Sequence, residues 1–375
     1  MKILWQSNSP HTPSGYGNQT ALFAPRIAED HHLTIFAYYG IEGAPIRWRG
    51  VDILPRAVDA WGNDIVAAHC IARQIDLLIT LTDVWVLDPA IYGELPWLAW
   101  TPIDHEPVPP GVVKSLHAAR YPVAMSRRGQ KLMRMAGIEA GYVPHGVDTR
   151  TFYPLDRKVA RAKMGWSDGT FVAMMNAANK GDPSRKGLRE ALLAWRDFVT
   201  LHPDSLLYLH TEQTGVNGVV LDDLVSYLGL DGHIQFADAY AYATGCINGA
   251  DLNLAYNAAD VLLNPSMGEG FGIPILEAQA AGCPVIVTDF TAMPELVGAG
   301  WTVGGTPFMT YQHAMQMIPS VPEIVEALRA ACDARGDHTL RVQAIDFAQQ
   351  FDARRVYTAY WRPLLARVEA DCVKN

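Results

Sequence analysis

The segment VLLNPSMGEGFGIPILEAQAAGCPVIVTD, residues 261–289, constrains the fold of this chain more than any other segment. It begins with a short apolar run that ends at Pro265, and a loop with three glycines follows. Pro274 lies in the first turn of a predicted helix, and Gly282 ends that helix. The apolar run over 284–288 then predicts a buried strand. The pattern therefore predicts a strand, a glycine-rich loop, a helix and a second strand, as in an α/β fold.

The glycine loop and the start of the helix predict an anion-binding site. Backbone N–H groups at a helix N-terminus point at one position and carry a positive partial charge, so they bind anions, most often phosphate. Glu269 lies within the loop. Glu277 lies about one turn into the helix, and its side chain leans back towards the helix N-terminus. A ligand that carries both phosphate and hydroxyl groups, such as a nucleotide sugar, fits this arrangement.

Length and composition predict a globular protein of two domains. A chain of 375 residues is too long for one ordinary core. Its net charge of −9 argues against nucleic acid as a partner. The five cysteines show neither zinc-ligand nor redox spacing, so we expect free thiols in a reducing cytoplasm. The chain also lacks an apolar run of the roughly 20 residues that a transmembrane helix needs.

The first half of the chain alternates predicted strands with helices, which indicates a parallel sheet covered on both faces. Strands are predicted at 2–6, 33–37, 76–81 and 97–100. The turn Gly15-Tyr16-Gly17 follows the first strand, just before a helix predicted to begin near Asn18. This turn either brings backbone close to a ligand or is only a tight turn.

Two further groups follow predicted strand ends in this half, where ligands bind in α/β folds. Asp104, His105 and Glu106 come after the strand 97–100. At least one of Asp104 and His105 either contacts an acceptor or merely orders a proline-rich loop. Asp83 follows the strand 76–81 and has the same two interpretations.

The segment 107–138 contains no acidic residue but several basic ones. Arg127, Lys131 and Arg134 have helical spacing on one face, with Ser126 as a predicted N-cap. This basic surface is either a solvated helix face or a contact with an anionic membrane or a phosphorylated acceptor. The membrane contact would place the protein at the inner face of the membrane.

In the second half, three cations follow the strand predicted at 171–175. Arg185 and Lys186 precede a helix that begins at Leu188, and Lys180 lies nearby. Cations at a helix N-terminus oppose the helix dipole, so their placement is unfavourable unless an anion is bound. We therefore expect Lys186 and Arg185 to contact a phosphate.

Three aromatic residues are further candidates in this half. His210 ends the strand predicted at 206–210 and is either a structural histidine or a ligand contact. Tyr240 and Tyr242 follow in a predicted loop and could lie against a nucleobase.

The run EGFGIPILE, from Glu269 to Glu277, resembles the E-x7-E element of retaining GT-B glycosyltransferases of the family-4 type, within glycosyltransferase group 1. Other segments are similar to the same family in the same order, and together they span nearly the whole chain. They are SPHTPSGYG (9–17), VPHGVDTRTFYP (143–154), SRKG (184–187) and PELV (294–297).

The resemblance implies two Rossmann-like domains that face each other across a cleft containing the active site. The acceptor-side domain would comprise 1–153 and about 352–375, because the C-terminal helix crosses back, and the donor domain would comprise 154–351. Glu277 matches the carboxylate that binds the donor ribose, and Glu269 matches the one near the transferred sugar and its phosphate. The amides around Gly270, Phe271, Gly272 and Ile273 would hold the distal phosphate, with Lys186 neutralising it.

Some correspondences stay open. The donor-loop arginine of the family could be matched by Arg185 or by Lys180, because this loop is longer. A histidine near the sugar in the first domain could be matched by His105, with Asp104 as the alternative.

The resemblance also implies the reaction. A hexosyl or pentosyl group would move with retention from a UDP, GDP or ADP sugar to an acceptor hydroxyl. The chain lacks an Asp-x-Asp pair, so we predict independence of metal and no required cofactor. The acceptor is expected to be a glycan, a lipid-linked or a small molecule rather than nucleic acid. Alternatives are a sugar-nucleotide epimerase or phosphorylase on the same fold, or a nucleotide-sugar-binding protein without activity.

Overall fold

The structure is a computed structural model that describes residues 1–215 and 217–374, with the backbone only for 372–374. The chain divides into two compact units. Unit 1 comprises Met1–Gly146, Thr310–Ala314 and the segment from Phe351 onward, and unit 2 comprises Val147–Met309 and Met315–Gln350. The resemblance had implied boundaries at 153 and about 352, whereas the units divide after Gly146 and after Gln350.

Unit 1 is built on an eight-stranded sheet. Its strands are β1 (Lys2–Asn8), β2 (His32–Tyr39), β3 (Ile46–Trp48), β4 (Val51–Pro55), β5 (Leu77–Leu81), β6 (Trp97–Thr101), β7 (Tyr121–Ala124) and β8 (Gly141–Tyr142). The spatial order is β3-β4-β2-β1-β5-β6-β7-β8, and every pairing is parallel except that of β3 with β4. The central strands are buried along most of their length, which explains their continuous apolar runs.

The helices of this part of the chain are α1 (Gly15–Asp30), α2 (Val66–Arg73), α3 (Pro89–Tyr92), α4 (Pro110–Ala118) and α5 (Arg127–Met135). Helix α1 begins at Gly15. The sequence had predicted a later start, near Asn18. The reason is Ser14, whose side chain accepts a hydrogen bond from the Gly17 amide and so caps the helix earlier.

Unit 2 is built on a six-stranded, all-parallel sheet. Its strands are β9 (Phe171–Asn176), β10 (Ser205–His210), β11 (Ile234–Phe236), β12 (Val261–Asn264), β13 (Val285–Thr288) and β14 (Gly300–Val303), in the order β11-β10-β9-β12-β13-β14. A separate antiparallel hairpin of β15 (Gly305–Met309) and β16 (Met315–Pro319) follows. The strand, loop, helix and strand predicted over 261–289 are therefore present as β12, the helix Ile273–Ala280 and β13.

The helices of unit 2 pack on both sides of this sheet. They are α6 (Arg157–Met164), α7 (Leu188–Val199), α8 (Leu221–Tyr227), α9 (Ala239–Ala243), α10 (Gly249–Ala258), α11 (Ile273–Ala280), α12 (Val321–Asp333) and α13 (His338–Gln349). The apolar residues of α7 recur at spacings of three and four, and Leu188, Leu192, Trp195 and Phe198 are all fully buried. Tyr240 and Tyr242 lie on α9, so the predicted loop at that position is wrong.

The C-terminal segment belongs to unit 1, as the family resemblance had implied for the last helix. It consists of α14 (Ala353–Val356), a π-helical turn at Tyr357–Trp361 and α15 (Arg362–Lys374). Trp361 is fully buried, with its ring centroid 5.6 Å from that of Trp5 and 4.9 Å from that of Trp100. These contacts complete the core of unit 1.

No helix among the described residues is both long enough and apolar enough to cross a membrane.

Candidate functional site

The order of strands in unit 2 places a crevice between β9 and β12. Strand β9 lies next to β10 on one side and β12 on the other, so the chain winds in opposite directions from this point. Ligands of open α/β sheets bind outside the carboxyl ends of the strands at such a switch point. The loops that leave β9 and β12 here are the ones that carry Arg185, Lys186 and Glu269.

Glu269 lies between two cations. Its Oε1 is 2.5 Å from Nζ of Lys186, and its Oε2 is 3.3 Å from Nη1 of Arg185. Burial by itself raises the pKa of this carboxyl, but Lys186 and Arg185 outweigh burial and lower the pKa to about 2. Glu269 is therefore ionised at neutral pH, and its carboxylate is the counter-ion of Lys186 and Arg185.

The two loops are also joined through their backbones. The Met267 amide donates a hydrogen bond of 2.8 Å to the Arg185 carbonyl, and the Arg185 side chain donates to the Gly268 carbonyl. Gly187 has φ +66, and a Cβ at this position would lie 2.1 Å from the Pro265 carbonyl oxygen. Only glycine permits this approach, which holds the cationic loop against the loop of Glu269.

The start of α11 supplies the predicted backbone donors. Gly272 caps the helix with φ +117, a conformation that side chains rarely adopt. Pro274 has no N–H and the Ile275 amide donates to the Gly272 carbonyl, so the amides of Gly272 and Ile273 are the ones available to an anion. Phe271 is 3% exposed. Gly270 is buried as well, and this turn follows the carboxyl end of β12.

Glu277 lies one turn into α11 and is 5% exposed. Tyr256 on α10 donates a hydrogen bond of 3.0 Å to Oε2 of Glu277, and Asn176 at the end of β9 donates one of 2.8 Å to the Tyr256 hydroxyl. Burial raises the pKa of Glu277 to about 7, while the bond from Tyr256 opposes the shift only in part. The two glutamates of the motif thus have opposite electrostatic environments.

Tyr256 and Asn176 were not identified from the sequence. Tyr256 is fully buried in a helix of mostly buried residues, where a tyrosine has the pattern of an ordinary core residue. Asn176 ends its strand in the same way as His210 does, and this polar strand end is the one signal that could have drawn attention to it.

The remaining candidates of unit 2 differ in their exposure and in their contacts. Lys180 is exposed in the loop after β9, whereas Arg185 is the residue that contacts Glu269. His210 pairs in register with Asn176 at the same sheet edge, and burial lowers its pKa to about 4. Its Nδ1 has no partner among the residues that the structure describes. Tyr240 is 76% exposed on α9, while the ring of Tyr242 lies 5.1 Å from that of His210.

The candidates of unit 1 gather at the carboxyl edge of its own sheet. The Tyr16 hydroxyl donates a hydrogen bond of 3.3 Å to Asp83, and Nδ1 of the buried His105 lies 2.7 Å from Asp104. Gly15 begins α1. Gly17 lies so close to the preceding loop that a Cβ would be 2.3 Å from the Thr12 carbonyl oxygen. The turn Gly15-Tyr16-Gly17 therefore packs its own loop as well as presenting Tyr16.

The predicted basic helix is α5, capped by Ser126. Lys131 and Arg134 are exposed, and the guanidinium of Arg127 lies 3.7 Å from the centroid of the Tyr142 ring. Across residues 1–215 and 217–371, no group of three or more His, Cys, Asp or Glu side chains is arranged to hold a metal ion.

Comparison with known proteins supports the resemblance in the second half of the chain. Residues 215–329 match the family described as "Glycosyl transferases group 1", and this span includes Tyr256, Glu269 and Glu277. The D-inositol 3-phosphate glycosyltransferase of Actinosynnema mirum is 31% identical over 203 residues, which are 52% of this chain and 47% of that protein. The chain thus spans about half the length of this curated relative.

Solved structures match the fold over its full length. Sucrose-phosphate synthase from Thermosynechococcus elongatus has a TM-score of 0.77 at 18% identity, covering 99% of this chain and 100% of the other. Anabaena HepE in complex with UDP-glucose has a TM-score of 0.72 at 17% identity, covering 98% and 100%. The mixed α/β fold of this chain is that of the GT-B glycosyltransferases.

Proposed function

We propose that this protein is a retaining glycosyltransferase that moves a sugar from a nucleoside-diphosphate sugar to an acceptor hydroxyl without a metal ion. The observation that carries the proposal is Glu269, an ionised carboxylate held by Lys186 and Arg185 at the switch point of unit 2. The family match over 215–329 and the structural similarity to a protein that binds UDP-glucose support it.

Three parts of this site would each bind a different group of the donor. Glu277 would accept hydrogen bonds from the ribose hydroxyls, since it lies beside the helix start and Tyr256 orients it. The amides at the N-terminus of α11 would bind the distal phosphate. Lys186 and Arg185 would transfer their contacts from Glu269 to the diphosphate, because a ligand with two phosphates offers more negative charge than one carboxylate.

The reaction breaks the bond between the anomeric carbon and the phosphate oxygen, and the electron pair leaves with the phosphate. Lys186, Arg185 and the helix amides would stabilise that developing charge, since they are in position before the reaction begins. The acceptor oxygen forms its bond to the anomeric carbon on the same face, and its proton goes to a phosphate oxygen. Sugar configuration is thereby retained.

Glu269 has a restricted part in this scheme. Paired with Lys186 and Arg185, it has a pKa of about 2 and is ionised at neutral pH. A covalent intermediate on Glu269 is disfavoured, because the carboxylate would have to reach the sugar face opposite the leaving group. Its negative charge would instead lie near the oxocarbenium-like sugar.

The proposal is tested by incubating the full chain with UDP, GDP and ADP sugars, with and without a panel of hydroxyl acceptors, and following the products by mass spectrometry. We expect release of nucleoside diphosphate together with a new glycoside of retained configuration. An epimerised nucleotide sugar formed without acceptor would indicate an epimerase, and a sugar 1-phosphate formed with inorganic phosphate would indicate a phosphorylase. Binding of donor without any product would indicate a non-catalytic protein.

A further inference from the structure

Unit 2 contains a second cavity, at the amino edge of its sheet. Its volume is about 240 Å³. Asp260 and Pro284 line this cavity, and they directly precede β12 and β13. Because these strands are parallel, both residues lie at the end of the sheet opposite to the loop of Glu269. The cavity is therefore separate from the proposed donor site, and what it binds does not rest on the proposed function.

Positive charge is in excess around the cavity. Three guanidinium groups line it, and they belong to Arg157, Arg335 and Arg341. The carboxylates in the lining, among the residues that the structure describes, are those of Asp260 and Asp337. The Asp337 side chain is already engaged, since it caps helix α13 by accepting a hydrogen bond from the Thr339 amide at 2.7 Å.

Asp260 is shared by more cations than its charge can balance. This carboxylate is buried, and its Oδ1 forms an ion pair with Arg157 and lies 3.4 Å from Nε of Arg335. Its Oδ2 lies 2.6 Å from Nη2 of the fully buried Arg161. One negative charge thus faces three guanidinium groups, so the two that line the cavity remain able to attract an anion.

Arg341 is held in place without a carboxylate, as far as the described part of the chain shows. Its Nη2 donates hydrogen bonds to the Leu155 carbonyl at 2.9 Å and to the side-chain oxygen of Asn257 at 3.1 Å, and both acceptors are neutral. Gly282 leaves room for this side chain, because a Cβ there would lie 2.8 Å from Cγ of Arg341. Burial is the largest influence on the pKa of Arg341 and lowers it. An anion in the cavity would stabilise this charge.

Two helices begin at the cavity. Arg157 is the first residue of α6, and Arg341 lies in the first turn of α13. A helix N-terminus carries a positive partial charge, so a cation there is unfavourable. The capping side chains of Asp156 and Asp337 offset this charge in part. An anion between the two helix starts would be attracted by both dipoles and by both arginines.

We propose that this cavity binds a small phosphomonoester. Planar guanidinium groups match phosphate oxygens with paired, charge-assisted hydrogen bonds. A phosphate ester carries about −1.5 to −2 charges at pH 7, which suits the positive excess. The cavity is smaller than ordinary ligand pockets of about 300–1,000 Å³, which limits the rest of the ligand to roughly the size of one sugar. Trp301 also lines the cavity and offers an aromatic surface to the carbon part of the ester.

Binding is measured by calorimetry on the full chain. The probes are glucose 6-phosphate, ribose 5-phosphate and glycerol 3-phosphate, with inorganic phosphate and glucose as comparisons. We expect at least one ester to bind at least tenfold more tightly than inorganic phosphate, and glucose not to bind. No binding of any of the three esters, or tighter binding of inorganic phosphate, would overturn the proposal.

Two arginine variants assign the binding to the cavity. Arg341→Gln and Arg335→Gln should each lower the affinity for the bound ester at least tenfold. Arg196→Gln is the matched control, because Arg196 is an exposed arginine on α7 of the same unit. Lys186→Ala should also keep the ester affinity, since Lys186 belongs to the proposed donor site. Equal affinity in Arg341→Gln and the control, or loss of ester binding in Lys186→Ala, would overturn the assignment.

Tryptophan fluorescence gives a second readout, which decides the matter where an arginine variant fails to fold. The bound ester should change the fluorescence of the unaltered protein, and this change should be absent from Trp301→Phe. An equal change in both proteins would place the ester elsewhere and overturn the proposal. Failure of UDP, GDP and ADP to bind, with ester binding intact, would count against the proposed function alone.

Discussion

The Tyr256 hydroxyl donates a hydrogen bond of 3.0 Å to the buried carboxylate of Glu277, and Asn176 donates to the same hydroxyl. This chain of hydrogen bonds connects the end of β9 with helix α11. It fixes Oε2 of Glu277 in the buried interior of unit 2. The orientation of Glu277 therefore depends on a residue outside the E-x7-E run.

Replacing Tyr256 with Phe should weaken binding of nucleoside diphosphate about ten- to a hundredfold, because a hydrogen bond to a charged group contributes about 1.5–3 kcal/mol. Loss of the bond also raises the pKa of Glu277 further, so the pH dependence of nucleotide affinity should move to higher pH. Calorimetric titrations between pH 6 and 9 measure both effects. Tyr227→Phe, at an exposed site, is the control. An unmoved pH profile would mean that Tyr256 has only a packing role.

Replacing Lys186 with Ala should lower turnover about 10²–10³-fold, as removal of one preorganised donor does in other enzymes. Lys186 contacts Glu269 directly and would face the departing phosphate. Lys180→Ala is the matched control, since Lys180 is an exposed cation of the same loop. Single-turnover rates at saturating donor measure the effect. Equal rates in the two variants would remove Lys186 from the chemical step.

The pKa of Glu277 predicts a pH dependence of stability. Its pKa is raised by burial from 4.5 to about 7, so the protonated form stabilises the fold. That contribution is complete below pH 4.5 and is lost as pH rises through 7, and it corresponds to about 3 kcal/mol. The unaltered protein should therefore lose free energy of unfolding as pH rises from 5 to 8. Glu277→Gln should not show this loss, so the difference between the two should shift in favour of the variant. Urea unfolding at each pH measures this, with the exposed Glu326→Gln as control. A constant difference across this range would contradict the prediction.

Activity should not require a divalent metal. The chain has no Asp-x-Asp pair, and the cations beside Glu269 already offer positive charge for a diphosphate. Treatment with EDTA should leave the transfer rate unchanged. Complete loss of activity, restored by added Mg²⁺ or Mn²⁺, would show that the two cations and the helix amides are insufficient.

The regular part of the fold could be predicted because its strands are buried on both faces. Such strands appear as continuous apolar runs, as at 171–175 and 261–264, and their order along the chain indicated a parallel sheet. The start of α1 was predicted too late, because its position depends on a single capping bond from Ser14. Tyr240 and Tyr242 form a helical turn that has no buried residue, so periodicity carried no signal there.

The candidate site could be predicted only where local sequence determines it. Glycines and polar strand ends indicated the loops of Lys186 and Glu269, but not their direct pairing. From the sequence, Lys186 and Arg185 were expected to contact a phosphate. In the structure, both side chains contact the carboxylate of Glu269. The role of Tyr256 depends on packing between α10 and α11, which sequence spacing does not encode. Asn176 and Tyr256 meet at 2.8 Å although they lie far apart in the chain.

The central claim is that unit 2 binds a nucleoside diphosphate through Glu277, and calorimetry tests it most directly. UDP, GDP and ADP are titrated into the unaltered protein and into Glu277→Ala, with Lys180→Ala as control. We predict that one nucleotide binds the unaltered protein and the control with equal affinity, and that it binds Glu277→Ala at least tenfold more weakly. Unchanged nucleotide affinity in Glu277→Ala, or no binding of any of the three nucleotides to the unaltered protein, would contradict the claim.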